Sequence, residues 1–214
     1  MSLYRVLNHP LAYNAAQRLF APGGEASLTN YIASLTETLP AEGPLLDVGC
    51  GPRSWLWRVG LQPVGVDIEP AYVEAYIRAG GQATLGSADA IPYGDASFAG
   101  VWSIGVLHHL PDAVVTLAIG EAIRVCRPGG YVALLDAVLP TSPLRRPVAA
   151  FIRHLDRGQH MRQEGALRAL LDPCGRWQYT RFTYSATGLE MLACLHRRPL
   201  ASSSSFRTTH DFAS

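Results

Sequence analysis

The chain has 214 residues and a formal net charge of +1, a size that suits one domain, or one domain with a small cap, around a buried core. Hydrophobic residues make up 48% and charged residues 16%, which reads as a soluble globular protein. The near-neutral balance argues against a partner held by phosphate neutralisation, so no nucleic acid is expected, and no stretch approaches the ~20 apolar residues of a membrane span.

In chain order, apolar residues recur at helical spacing at Leu11, Ala15 and Leu19, and again at Leu28, Ile32, Leu35 and Leu39. The break at Ala21-Pro-Gly-Gly24 divides them into two helices, an N-terminal helical cap over residues 1–40. Pro44-Leu-Leu-Asp-Val-Gly49 and Pro63-Val-Gly-Val-Asp67 are short apolar runs, predicted as buried parallel strands with a short helix between them. Ala71 to Ala79 reads as a helix stopped by Gly80-Gly81, and Gln82–Ser87 and Gly100–Ile104 as the third and fourth strands. A helix over Asp112–Cys126 starts after Pro111 and is stopped by Pro128-Gly-Gly130, and Tyr131–Val138 is the fifth strand. Such alternation predicts an α/β fold, a doubly wound and mostly parallel sheet.

Leu139 to Gln159 breaks that rhythm with Pro140, Pro143, Pro147 and the pair Arg145-Arg146, and is read as a flap at about 139–160 over the sheet's carboxyl edge. Another helix follows over Gln163–Leu171. Trp177–Tyr184 and Leu189–Arg197 then read as a hairpin joined at Ala186-Thr-Gly188. Residues 200–214, with their serine run, read as a disordered tail. Cys50, Cys126, Cys174 and Cys194 show neither CxxC nor metal-ligand spacing, so reduced thiols and a cytoplasmic protein without a metal are expected.

The chemistry gathers at the strand ends. In an open α/β sheet, ligands bind outside the carboxyl ends of the strands. After the first strand, Gly49 and Gly51 permit a tight turn and close backbone approach, and Asp47 before them can order the loop or reach a ligand amino group. Asp67 ends the second strand, where a carboxylate can accept both hydroxyls of a ribose. Asp89 follows the third strand, positioned to accept from an adenine amino group, and Ile68 and Ile91 are candidates to sandwich the ring. Taken singly, the glycines make a turn, Asp67 caps a helix and Asp89 is a solvated loop residue. Their order along the chain points to adenosine.

The segments LLDVGCGP, VGVDIEP, GSADAIPYGDASF, VLHHLPD and RVCRPGGYVALLD, spanning roughly Leu45 to Asp136, resemble the class I S-adenosylmethionine (SAM)-dependent methyltransferases, above all their small-molecule group. The resemblance implies a Rossmann-like, seven-stranded sheet with an antiparallel C-terminal hairpin strand. It also implies SAM as cofactor, S-adenosyl-L-homocysteine as product and a small-molecule acceptor. By residue, it implies that Asp47, Gly49 and Gly51 surround the methionine part, that Asp67 holds the ribose, and that Asp89 and Ala90 meet the adenine. Ser103 would lie beside the methionine part or the transferred methyl. The chain departs from the family where Arg53 replaces a third glycine and Ala99 replaces the usual acid after Phe98.

His108 and His109 follow the fourth strand, and Asp136 lies near the end of the fifth. A histidine oriented by an aspartate can deprotonate a hydroxyl, and the same residues can instead pack or cap the helix at Asp112. Tyr4, Tyr13, Arg145, Arg146 and Tyr184 are candidates to line an acceptor pocket, while His154 and His160 have no metal partner in the sequence. Two rival functions are a non-catalytic SAM-binding protein and an NAD-dependent oxidoreductase. The latter needs a GxGxxG glycine where Ser54 stands. The atom methylated and the oligomeric state are left open.

Overall fold

A computed structural model describes residues 21–39, 42–155 and 159–200. Its sheet has seven strands: β1 (Leu45–Val48), β2 (Val64–Asp67), β3 (Gln82–Leu85), β4 (Phe98–Ile104), β5 (Cys126–Val138), β6 (Gln178–Thr183) and β7 (Glu190–Arg197). The spatial order is β3-β2-β1-β4-β5-β7-β6. β3, β2, β1, β4 and β5 run parallel, and β7 enters antiparallel between β5 and β6. The fold is therefore the α/β, Rossmann-like doubly wound sheet with an antiparallel C-terminal hairpin strand that the sequence pattern predicts.

The helices are α1 (Gly24–Thr38), α2 (Pro70–Arg78), α3 (Asp112–Val125), α4 (Pro147–Leu155) and α5 (Glu164–Leu171). Strand alternation divides the core between the two faces of the sheet. Leu46, Val48, Val101, Val132, Leu134, Leu192 and Cys194 meet α3 and α5 through Val115, Ile119, Leu167 and Leu171. Leu45, Trp102, Ile104, Tyr131, Ala133, Leu135 and Met191 meet α1 through Leu28 and Ile32, and the 3-10 turn Trp55–Val59 through Leu56.

α1 lies along the sheet face, where its apolar stripe covers Trp102 and Tyr131. Just ahead of it, Ala21 packs with Ala149 and Leu189. The first predicted helix, Tyr4 and Tyr13 lie outside the described residues, as does the tail beyond Leu200.

The stop expected at Pro128-Gly-Gly130 is not a loop. α3 ends at Val125, and β5 starts at once at Cys126, pairing with Phe98. A register shift between Phe98 and Gly100 accommodates the irregular residues. Gly100 is needed there, since a Cβ on it would lie 2.4 Å from the Tyr131 ring. Conversely, the third strand stops at Leu85, short of Ser87, and the flap contains α4.

Tyr131 also stands edge-on to Trp102, and its hydroxyl accepts a hydrogen bond from Trp102 Nε1 at 3.1 Å. Both rings are buried. Tyr131→Phe keeps the shape but orphans a buried indole N–H, a loss of about 1–3 kcal/mol. Chemical denaturation is expected to read a lower unfolding free energy by that amount with an unchanged m-value. A loss below about 0.5 kcal/mol, the range of a neutral surface change, would mean that the indole finds another acceptor.

Candidate functional site

β1, β2 and β4 end side by side, and the turns beyond them form one rim. Gly49 and Gly51 have φ of 72° and 60°, the left-handed region that favours glycine. At Gly49 the turn is also closed sterically, because a Cβ would lie 2.4 Å from Val106 Cγ2. At Gly51 a Cβ would meet nothing within 4 Å, so this backbone faces open space. The N–H groups of Gly49 and Cys50 both donate to Val66 O, at 2.7 and 3.1 Å.

Asp67 stands next to this turn. Its Oδ2 accepts from Gly51 N and its Oδ1 from Glu69 N, both at 2.9 Å. Each carboxylate oxygen has a further lone pair. Asp47 is buried one strand away and accepts from Ser54 Oγ at 2.6 Å. Ser54 Oγ in turn accepts from Leu56 N at 3.1 Å, starting the 3-10 turn. The short helix expected between β1 and β2 is thus only this turn of five residues. Burial pushes the Asp47 carboxyl up to about 6, the Ser54 hydroxyl pulls it back, and the nearby Asp67 pushes it up further.

The remaining cofactor candidates are distributed around the same rim. Ser87 Oγ donates to Asp89, and Ala90 N donates to Ser87 O at 3.1 Å, closing a tight turn after β3. Ile68 is 73% exposed at the end of β2. Ile91, expected opposite it on a ring, belongs instead to the buried core on the α3 face, while its N–H donates to Glu121. Ser103 is buried and donates to Val48 O at 3.1 Å, tying β4 to β1. A groove of about 300 Å³ between α1 and the β5–β7–β6 end of the sheet contains none of these residues.

Farther along the rim, Asp136 near the end of β5 is buried and grips His108 twice. Its Oδ2 accepts from His108 N at 3.1 Å, and its Oδ1 lies 2.5 Å from His108 Nδ1. Ala137 N also donates to Oδ1, at 2.6 Å. Because the carboxylate accepts, Nδ1 carries the proton, and Nε2 is then the basic nitrogen of the neutral ring. His109 is exposed, and its ring centroid lies 4.1 Å from that of His108.

Sequence reasoning missed Arg162. It is buried, and its guanidinium reaches Leu107 O, Leu110 O and Asp112 around the histidine turn. The other acceptor-side candidates are engaged with the hairpin. Arg146 donates to Thr183 Oγ1 and Gly188 O, and the Tyr184 ring lies under Arg153. Arg145 is exposed, and His160 N donates to His108 O.

Residues 46–134 match the family described as "Methyltransferase domain". The 27-O-demethylrifamycin SV methyltransferase of Amycolatopsis mediterranei is 36% identical over 131 residues, covering 54% of this chain and 46% of the relative. Over the matched region the chain is similar to methyltransferase domains. A tRNA (carboxymethyluridine(34)-5-O)-methyltransferase of Arabidopsis thaliana is 36% identical over 110 residues, 47% of this chain and 26% of the relative. The chain thus spans less than half the length of these relatives. In fold, the chain is similar to a SAM-dependent methyltransferase, possible histamine N-methyltransferase, of Thermotoga maritima. That match has a TM-score of 0.64 at 15% identity and covers 90% of this chain and 99% of the other.

The buried Asp47 gives the domain a pH signature of its own. Its folded value of about 6 lies above the ordinary 3.8, so the ionised form is disfavoured. The stability this carboxyl contributes is present below pH 4 and is lost as the pH rises through 6, a difference of roughly 3 kcal/mol. Asp47→Asn is therefore expected to melt above the wild type at pH 7.5, with the gap closing towards pH 4. Thermal melts of the ligand-free pair check this. A variant no more stable than the wild type at pH 7.5 would show that the ionised carboxylate is not penalised.

Proposed function

We propose that this domain transfers a methyl group from SAM to a hydroxyl of a small-molecule acceptor, with His108 as general base and Asp136 as the group that orients it. The observation that carries this reading is the double grip of Asp136 on the main chain and ring of His108, on the same rim as the glycine turn. The names of both relatives given above refer to an oxygen position, which supports an oxygen acceptor over carbon or nitrogen.

The rim fits SAM. The open space at Gly51 admits a ligand against the backbone, and the spare lone pairs of Asp67 suit the two ribose hydroxyls. Asp47 supplies a negative charge for the methionine ammonium, while Asp89 and Ala90 bound the adenine side beneath the exposed Ile68. Ser103 lines the floor between methionine and acceptor. When bound, SAM supplies an electrophilic methyl on a sulfonium and leaves as S-adenosylhomocysteine.

The protein's own part is positioning and proton transfer. His108 Nε2 takes the acceptor's hydroxyl proton as the new C–O bond forms, and Asp136 stabilises the resulting imidazolium across Nδ1–H. Holding both reactants in line on a rigid strand rim removes much of the orientational cost. The carboxylate of Asp136 is prepared for this by Ala137 N and His108 N, two donors that stay in place throughout.

Two measurements test the reading. Calorimetry with SAM is expected to show Asp67→Ala weakened on the order of 10²-fold or more, since hydrogen bonds to a charged group contribute ~1.5–3 kcal/mol each. Unchanged affinity would remove Asp67 from the cofactor site. In a screen of hydroxylated small molecules for S-adenosylhomocysteine release, His108→Ala is expected to lower turnover by ~10²–10⁴-fold with SAM affinity intact. Wild-type turnover in that variant refutes the base, and SAM binding with no release from any acceptor favours a non-catalytic SAM-binding role.

A further inference from the structure

The excursion between β5 and α5 is closed at its neck and fastened on two sides. At the neck, Leu139 N donates to Arg162 O at 2.8 Å, and Arg162 bridges Val138. On the hairpin side, Arg146 donates to Gly188 O at 3.0 Å and Arg153 to Glu190 O at 2.9 Å. On the other side, Arg162 crosses to the turn that carries His108. Its Nη1 donates to Leu107 O at 2.8 Å, and its Nη2 to Leu110 O at 2.6 Å. Its Nε and Nη2 both reach Asp112 Oδ1, at 2.8 and 2.6 Å. His160 N adds a bond to His108 O at 3.0 Å.

We propose that Arg162 is a positioning residue for His108, acting through the main chain of the histidine turn. This rests on His108 being the base. The turn Leu107–His109 is a single 3-10 turn, too short to be held by helical cooperativity. Both side-chain contacts of Asp136 in this turn fall on His108 itself. They fix both the ring and its own backbone to β5. Arg162 ties the turn to α3. Its planar fork satisfies the carbonyls on either side of the two histidines and anchors them to Asp112, the first residue of α3. A lysine ammonium cannot address three acceptors in one plane. Through its main chain the same residue closes the neck of the excursion, so the acceptor-side excursion and the base form one mechanical unit.

The test reads the imidazole directly and needs no acceptor. Protein labelled with ¹⁵N at histidine is followed by long-range ¹H–¹⁵N correlation, with the His108 resonance assigned by its loss in His108→Ala. The wild type is expected as the single Nδ1–H tautomer. Arg162→Gln and Arg162→Lys are both expected to give a mixture of tautomers, while SAM affinity by calorimetry stays at the wild-type value. Asp112→Asn weakens only the exposed end of the clamp, and a smaller change in the same direction is expected. A folded Arg162→Gln or Arg162→Lys that keeps the single tautomer overturns the proposal, and so does a parallel loss of SAM affinity, which marks general disruption. If Arg162→Gln does not fold, Arg162→Lys and Asp112→Asn decide. If the base assignment is what fails, His108→Ala turns over like the wild type while the tautomer shift in the Arg162 variants remains.

Discussion

Carboxylates buried at strand ends are the constraint around which this domain is organised. Asp47, Asp67 and Asp136 end three parallel strands and are almost fully removed from water, where an unpaired charge is costly. Each is held by donors from the turn beyond its own or the neighbouring strand, Ser54 for Asp47, Gly51 and Glu69 for Asp67 and His108 for Asp136, and Asp136 also accepts from Ala137 N on its own strand. A rim of negative charge is thereby fixed before any ligand arrives. Such fixed dipoles and charges need little reorganisation during a reaction.

The same constraint explains why the sheet can be served by so few helices. Between β1 and β2 there is only a 3-10 turn, and no helix lies between β3 and β4. Leu56 from that turn and Tyr76 from α2 are each fully buried. Tyr76 stands over Gly65 and donates to Pro63 O at 3.0 Å. Two large side chains thus cover the area that a longer helix would cover. What cannot be shortened is the Gly49–Gly51 turn, because the bonds from Gly49 and Cys50 to Val66 and from Gly51 to Asp67 fix β1 to β2 at the rim.

The parts of this domain that could be read from the sequence are those where a residue type has only one structural use. The doubly apolar strands, the glycine turn and the acids closing β1 and β2 belong to that group, and so does the C-terminal hairpin. Boundaries were harder where pairing overrode local signals. Cys126-Arg-Pro-Gly-Gly130 reads as a break, yet it continues β5 because β4 offers Phe98 a partner across a register shift. Ile91 reads as a cofactor-facing residue, but its place beside Glu121 and Arg124 turns its side chain into the core. Arg162 gave no signal at all. Two of its acceptors are main-chain carbonyls at Leu107 and Leu110, which every residue carries, and the third, Asp112, reads as an ordinary first-turn acid of a helix.

That difference separates the two halves of the rim. The half proposed for the cofactor is made of backbone N–H groups and short carboxylates within one or two residues of a strand end, so its geometry follows from strand order and glycine placement. The half proposed for the acceptor is framed by long guanidinium side chains, Arg146, Arg153, Arg162 and Arg181, that reach across the hairpin, the excursion and the histidine turn. Glu164 and Glu190 offset part of that positive charge. A guanidinium fork tolerates change in the residues that flank its carbonyl partners, since it reads only their main chain. Sequence can therefore vary along the excursion and the hairpin while the frame that holds His108 is kept.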